Sequence, residues 1–407
     1  MSKPDFAGCI SADWHIDQLR NIEDTARCVD FVIAETIRRR DLLGRDVPFV
    51  FSHLGDAYKT FAPTPVEADI LHRTRALKMA GIESEILVAN HDRKESQEFG
   101  DQIHAFVDMR NLGGAMTVIE KPEIRSWSVG GRDIAYRVII PHIAKAEVQS
   151  SGLTYPQLFK KKLDSMLATI PAGIPIIAMS HFFVREAKVG SSDHIMSGDQ
   201  YVPVSDLVDP RLVAFFLGDV HCAQKLADKP WVGYCGSIDR VDFGEANDAK
   251  GFIYYEVRGT EIKIEFIPTP ARRFLHIVAD LVGNKTKGDK FFGVPESPSD
   301  MQPWLESKVS DYPEIKGTLV KVSIRCGPNQ KALIDDRALS AVITRLGGTV
   351  RSVNFDVITA ENRRSPEITE SLSPVAALGR WVETQNYKDI AKQSILIAGK
   401  KIIGVEK

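Results

Sequence analysis

The segment Gly8-Cys9-Ile10-Ser11-Ala12-Asp13-Trp14-His15 runs from small and apolar residues straight into an Asp-x-His pair. Such a run reads as a buried strand that stops where the polar residues begin. Asp13 and His15 are two apart on extended backbone, so both can point to one side of the strand end. The pattern returns four more times, at Gly55-Asp56, Asn90-His91-Asp92, Ser180-His181 and Gly218-Asp219-Val220-His221. Each again follows a short apolar run. A single Asp-x-His has no weight, but five such junctions in sequence predict an α/β fold with its chemistry gathered at the C-terminal ends of strands.

Working outward, strands are expected at 8–12, 48–52, 86–89, 134–140, 174–179, 212–217 and 251–257. Helices are expected at 22–40, 65–80, 97–109 and 155–170, where apolar residues recur every three or four positions. This rhythm predicts sheets with helices on the outside, and it ends at the two close prolines of Phe266-Ile267-Pro268-Thr269-Pro270-Ala271. Beyond that point a smaller pattern follows: strands at 274–280, 317–325 and 349–357, a helix at 335–346, and a loop rich in Lys, Gly, Pro and Ser at 283–300. Residues 360–366 read as extended, and 374–385 and 387–395 as short amphipathic helices. The expected domains are therefore 1–268, 269–358 and 359–407, the last too short to build a core alone.

The 407 residues, 43% hydrophobic and 26% charged, have an ordinary globular composition. Apolar runs fall short of the roughly 18 residues of a membrane span, and the N-terminus lacks a hydrophobic signal region, so an intracellular location is expected. The five cysteines form no C-x-x-C pair and read as reduced, small buried thiols, Cys222 included. A net charge of −2 excludes a strongly basic, histone-like protein while leaving room for a local nucleic-acid-binding patch.

Ions such as Mn²⁺ accept carboxylate, imidazole and amide oxygen together. Asp13, His15, Asp56, Asn90, His181, Asp219 and His221 make seven ligands for two sites, with Asp56 able to bridge them. Two ions roughly 3.5–4 Å apart activate a water and clamp the attacking and leaving oxygens of a phosphate ester. His91, beside a ligand, can face the substrate and donate a proton to the leaving oxygen. Asp92 can orient His91 through its other ring nitrogen. His53, His72, His104, His142, His194 and His276 read as core or surface histidines.

At these residues the chain resembles the calcineurin-like metallophosphoesterases, and more narrowly the SbcD-type nuclease subunits of double-strand-break repair. The narrower likeness rests on Ser11-Ala12-Asp13-Trp14-His15, on Gly55-Asp56 followed by Pro63-Thr64-Pro65, and on Asn90-His91-Asp92. It also rests on Tyr234-Cys235-Gly236-Ser237 running through Arg240 to Phe243-Gly244-Glu245 and Lys250-Gly251. The resemblance implies a four-layer α/β sandwich of mixed sheets flanked by helices, a small α+β capping domain and C-terminal helices that bind a coiled-coil ABC-type ATPase of the SbcC kind. It implies two Mn²⁺ ions: one on Asp13, His15, Asp56 and His221, the other on Asp56, Asn90, His181 and residue 219. It further implies His91 as the catalytic histidine, dimerisation through helices near 65–110, and DNA as substrate, cleaved as a 3′-to-5′ exonuclease and a single-strand or hairpin endonuclease in a prokaryotic or phage-infected cytoplasm.

Three residues depart from the family pattern: Asp219 stands for the usual histidine, Ala89 for a glycine, and Lys59 for a histidine or aspartate. With Asp219, three carboxylates and a hydroxide neutralise two divalent cations; a histidine there leaves one positive charge. The expectation is better tolerance of Mg²⁺, and the Gly-Asp-x-His variant suggests a phage-type branch. Arg93 and Lys94, directly after Asn90-His91-Asp92, are candidates for contact with DNA phosphate, as is Lys59. Two other readings stay open: a phosphodiesterase acting on small molecules, and a catalytically weak scaffold that keeps the fold mainly to bind the ATPase.

Overall fold

Alternating side chains along the central strands are buried on both faces, and that fixes the layering. The computed structural model describes residues 3–16, 22–58, 64–95, 102–104, 106, 116–188, 201–282, 290–292, 294–295, 297–358, 373–384 and 389–403. The first strands are β1 (Phe6–Ser11), β2 (Phe49–His53), β3 (Glu83–Leu87), β4 (Arg93–Glu95), β5 (Gln102–His104) and β6 (Thr117–Ile119). They are followed by β7 (Glu123–Val129), β8 (Arg132–Ile140), β9 (Ile176–His181), β10 (Leu212–Gly218), β11 (Gln224–Asp228), β12 (Trp231–Tyr234), β13 (Gly251–Arg258) and β14 (Glu261–Pro268). One six-stranded sheet has the order β14-β13-β1-β2-β3-β6 and a second the order β11-β12-β10-β9-β8-β7. In the first sheet β1, β2, β3 and β6 run parallel, and β13 and β14 add by antiparallel pairing on one side; in the second β12, β10, β9 and β8 run parallel, with β11 and β7 antiparallel at the two edges.

In β1, Ala7 and Cys9 point outward onto helix α1 (Ile22–Leu43) through Cys28, Val29, Val32 and Ile33. Phe6 and Ile10 point inward, into a layer shared with Ile177, Met179, Ala214 and Phe216 of the second sheet. The second sheet's other face, Ala178, Phe215 and Leu217, packs on Leu158, Phe159, Leu163 and Leu167 of the helix Tyr155–Ala168. The period of two in each strand thus feeds three buried layers between four of secondary structure: helix, sheet, sheet, helix. This is the four-layer sandwich expected.

Inside the layer between the sheets sits an ion pair. Arg137 of β8, 1% exposed, donates to Glu85 of β3, fully buried, at 3.0 Å. The guanidinium also lies over the Trp127 ring, 4.5 Å from its centroid. Ser52 donates to the other Glu85 oxygen at 2.6 Å.

The chain divides into two compact units, Met1–Phe274 and Leu275–Lys407. The second holds most of β15 (Phe274–Asp280), with β16 (Lys290–Phe292), β17 (Leu319–Cys326) and β18 (Thr349–Val357), in the order β16-β15-β17-β18. Ile277, Ala279, Val320, Val322 and Ile324 pack on Leu305 and Val309 of the helix Met301–Ser310 and on Leu339, Val342 and Ile343 of the helix Asp336–Arg345. The tail helices are Pro374–Thr384 and Asp389–Ile403, and they fall in this unit. Among the described residues no helix is long and apolar enough to cross a membrane. All five cysteines are free.

Two local expectations are corrected. The helix expected over 97–109 contains instead β5, paired antiparallel with β4. A three-residue strand with one central apolar residue gives no period-two signal to set against helical spacing. The loop expected over 283–300 contains β16 and a helical turn, Pro298–Asp300, leading into Met301–Ser310. The polar composition hid them.

Candidate metal centre

The loops after β1 and β2 run side by side, zipped by backbone bonds. The Leu54 N–H donates to Ser11 O (2.7 Å), Asp13 N–H to Gly55 O (3.0 Å), His15 N–H to Asp56 O (3.0 Å) and Ile16 N–H to Ala57 O (2.9 Å). Across to the second sheet, the Asp219 N–H donates to both Asp13 carboxylate oxygens at 3.2 Å. The strand ends therefore meet at one point.

The backbone there is strained. Among the described residues, the non-glycine residues with positive φ are Asp13 (52°), His15 (45°), Asp56 (56°) and Asp219 (98°). Each conformation costs on the order of 1 kcal/mol or more and persists only where the surroundings impose it. All four are residues expected to hold metal.

Two groups of ligand atoms form, each within 4.8 Å: Asp13, His15 and His221, and Asp13, Asp56 and His181. His15 Nε2 is 2.8 Å from His221 Nε2. It is also 3.9 Å from Asp13 Oδ1 and 3.8 Å from Asp56 Oδ2. His181 Nε2 is 3.4 Å from Asp56 Oδ2 and 3.7 Å from Asp219 Oδ1. Ligand atoms on an ion with bonds of about 2.1 Å lie roughly 3 Å apart along an octahedral edge, so these separations suit a divalent cation.

The tautomers support the same fit. His181 Nδ1 donates to Leu54 O at 2.7 Å, leaving the buried Nε2 without a hydrogen-bond partner and facing carboxylate oxygens. His221 Nδ1 meets Glu245 Oε1 at 2.6 Å, so its Nε2 likewise faces the pocket. Burial alone would lower the pKa of His181, yet Asp56, Asp13 and Asp219 raise it well above that of free imidazole. Burial pushes Asp13 up to about 7 and raises Asp219 as well. Burial raises Asp56 too, but His181, His15 and His91 outweigh it and hold the carboxyl below its ordinary value. The pocket calls for positive charge, and its carboxylate and imidazole donors suit a transition-metal or hard divalent ion.

His91 is exposed beside this pocket, its ring centroid 5.4 Å from that of His15, and its N–H donates to Asp56 Oδ1 at 3.2 Å. Asn90 is exposed in the same turn. Asp92, expected beside His91, is held by backbone amides. It is 1% exposed and accepts backbone N–H groups from Asp56 (2.9 Å), Ala57 (3.1 Å) and Ala89 (3.0 Å). It ties the third ligand loop to the second, and no bond to His91 accounts for its place. Burial and the nearby Asp56 push its carboxyl up to about 7. Arg93 and Lys94 open β4, but their side chains, like Lys59 and His194, lie outside the described residues. His53 is a core residue: burial pushes it down to about 3, and its Nδ1 accepts the Gly55 N–H at 3.1 Å.

Two glycines explain the Gly-Asp pairs. A Cβ on Gly55 (φ 98°) would lie 2.5 Å from Ala89 Cβ and 3.0 Å from His181 Nδ1. One on Gly218 would lie 2.7 Å from the same Nδ1. The His181 ring needs both positions bare. Ala89, one of the departures, is accommodated against Gly55.

The residues overlooked as functional are Glu245 and Lys250. Glu245 accepts from Lys250 Nζ at 2.8 Å and from the Val241 N–H at 2.8 Å, both on Oε2, while Oε1 meets His221. Burial raises Glu245, but His221 and Lys250 more than reverse this, to about 2. Phe243-Gly244-Glu245 and Lys250-Gly251 were visible as a block, but nothing in spacing assigned them to His221.

No protein-family model matches the chain. A curated relative, the SbcD component of the SbcCD nuclease of Staphylococcus epidermidis, is 21% identical over 285 residues, covering 66% of this chain and 71% of the relative. A solved structure overlaps 65% of this chain and 99% of its own at 13% identity with a TM-score of 0.39. The 5′-nucleotidase from Candida albicans overlaps 66% of this chain and 52% of its own at 11% identity and the same TM-score, 0.39. The sequence match goes with the clustered strand-end carboxylates and imidazoles, the two bare glycines and the helix–sheet–sheet–helix layering, and in these features the chain resembles the SbcD-type metallophosphoesterases.

Proposed function

We propose that this chain is a DNA nuclease subunit that hydrolyses phosphodiesters with two divalent ions and works with an SbcC-type coiled-coil ATPase. The observation that carries the reading is the convergence of Asp13, His15, Asp56, His181, Asp219 and His221, four of them on strained backbone, with imidazole Nε2 atoms facing carboxylates. Asp13, His15, Asp56 and His221 would hold one ion and Asp56, Asn90, His181 and Asp219 the other. When bound, Mn²⁺ or Mg²⁺ would supply an activated water and charge for the phosphoryl oxygens. His91, exposed at the rim, donates a proton to the leaving oxygen. Asp92 positions the loop that carries His91. Arg93, Lys94 and Lys59 contact DNA phosphates, and the Pro374–Thr384 and Asp389–Ile403 helices take the ATPase. The active assembly is a homodimer.

The test is cleavage of end-labelled duplex and hairpin DNA with Mn²⁺ or Mg²⁺, with and without the ATPase. His91→Ala is expected to lower cleavage by about 10²–10⁴-fold, the range of a lost general acid, with metal uptake unchanged. Small diesters hydrolysed far better than DNA, or repair function untouched by His91→Ala, would sink the nuclease reading.

Asp219 sets the charge of the site. Replacing the carboxylate with imidazole adds one net positive charge and removes a hard oxygen donor, which Mg²⁺ prefers. Asp219→His is therefore expected to raise the ratio of Mn²⁺- to Mg²⁺-supported cleavage by roughly tenfold, a difference of about 1.4 kcal/mol. An unchanged ratio contradicts this account.

A further inference from the structure

Two of the pocket-facing histidines, His181 and His221, are held differently. His181 Nδ1 donates to a neutral backbone carbonyl, Leu54 O. His221 Nδ1 meets a carboxylate, Glu245 Oε1, at 2.6 Å. That carboxylate is itself fixed, because Oε2 accepts from Lys250 Nζ and from the Val241 N–H, both at 2.8 Å. Lys250 is 3% exposed, and a cation so buried requires a counter-charge beside it. Its Nζ also donates to Ser237 Oγ at 2.9 Å and to the carbonyl of His221 itself at 3.3 Å. The Ser237 N–H donates to the same carbonyl at 3.1 Å. His221 is thus gripped at its ring and at its backbone by one buried network. A carboxylate on the far nitrogen of a ligating imidazole fixes the tautomer and raises the basicity of the nitrogen that binds.

We infer that Glu245, held by Lys250, is a positioning residue that strengthens His221 as a ligand, so that its charge governs the affinity of one of the two ions and leaves the other unaffected. The inference rests on the two-ion reading given above. His181, whose partner is a carbonyl, serves as the internal control.

The experiment is calorimetric titration of the full chain with Mn²⁺, alongside thermal unfolding in EDTA. E245Q keeps a hydrogen-bonding side chain and removes the charge, but it strands Lys250. The double variant E245Q/K250M removes both charges and keeps the shape, so it guards against a folding defect. Wild type is expected to take up two ions. Both variants are expected to bind one ion as wild type does and the other about 10–100-fold more weakly, with the double variant unfolding near the wild-type temperature. Variants that bind both ions as wild type does overturn the inference alone. Weakening of both ions together with a fall in the unfolding temperature also overturns it, because that marks a packing role. A wild-type chain that takes up no Mn²⁺ overturns the two-ion reading, and this inference with it.

Discussion

Replacing His181 with alanine is expected to reduce phosphodiester cleavage by at least about a thousandfold, on the order of 4 kcal/mol of transition-state stabilisation. The same variant should lose one of the two Mn²⁺ ions in a titration. The reason is the position of the ring. It is fully buried, it is pinned by Leu54 O at 2.7 Å, and it is flanked by the bare backbones of Gly55 and Gly218. Its Nε2 sits 3.4 Å from Asp56 and 3.7 Å from Asp219, so alanine removes a donor that no neighbour can replace. It also leaves the carboxylates of Asp13, Asp56 and Asp219 without their largest opposing partner. Retention of two ions and of near-normal cleavage in His181→Ala would show that the candidate centre is not where the reaction occurs.

Arg137→Leu is expected to destabilise the first unit by about 3–5 kcal/mol. It leaves the fully buried Glu85 carboxylate with only the more distant Arg125, at 3.9 Å, as a cation and removes the guanidinium that stacks 4.5 Å from the Trp127 ring centroid. Burial already pushes the Glu85 carboxyl above its ordinary value against the pull of Arg137. At roughly 2–4 °C per kcal/mol for a unit of this size, the unfolding temperature should fall by about 10 °C. Glu85→Leu/Arg137→Leu should recover most of the loss, because an apolar pair in a dry layer has no charge to desolvate. Calorimetric unfolding of the two variants checks both statements. Equal destabilisation by the single and double changes would mean that packing, and not the unpaired charge, sets the cost.

Much of this was legible before any coordinates. The central strands β1, β2, β3, β8, β9, β10 and β13 and the helices expected at 22–40 and 155–170 follow from short apolar runs and from spacing, because long buried elements impose their period on the chain, whereas the more exposed β7, β11 and β14 were not foreseen. The motifs proposed to hold metal stand out in the sequence because each sets a polar group directly after an apolar run. The reading failed at 97–109 and 283–300, where strands of three residues leave too little pattern to detect. Adjacency of Asp92 to His91 in sequence also says nothing of the three amides that converge on its carboxylate.

From the linear chain alone came the layered α/β architecture and the set of polar residues placed directly after apolar runs. These depend on hydrophobic period and on residue chemistry, which are local. Only folding decided which of those residues meet and how each is held. The bond from Asp219 to Asp13, the carboxylate behind His221 and the ion pair between the sheets join positions 206, 24 and 52 residues apart. Such contacts are set by strand order and register, and no window of sequence contains them.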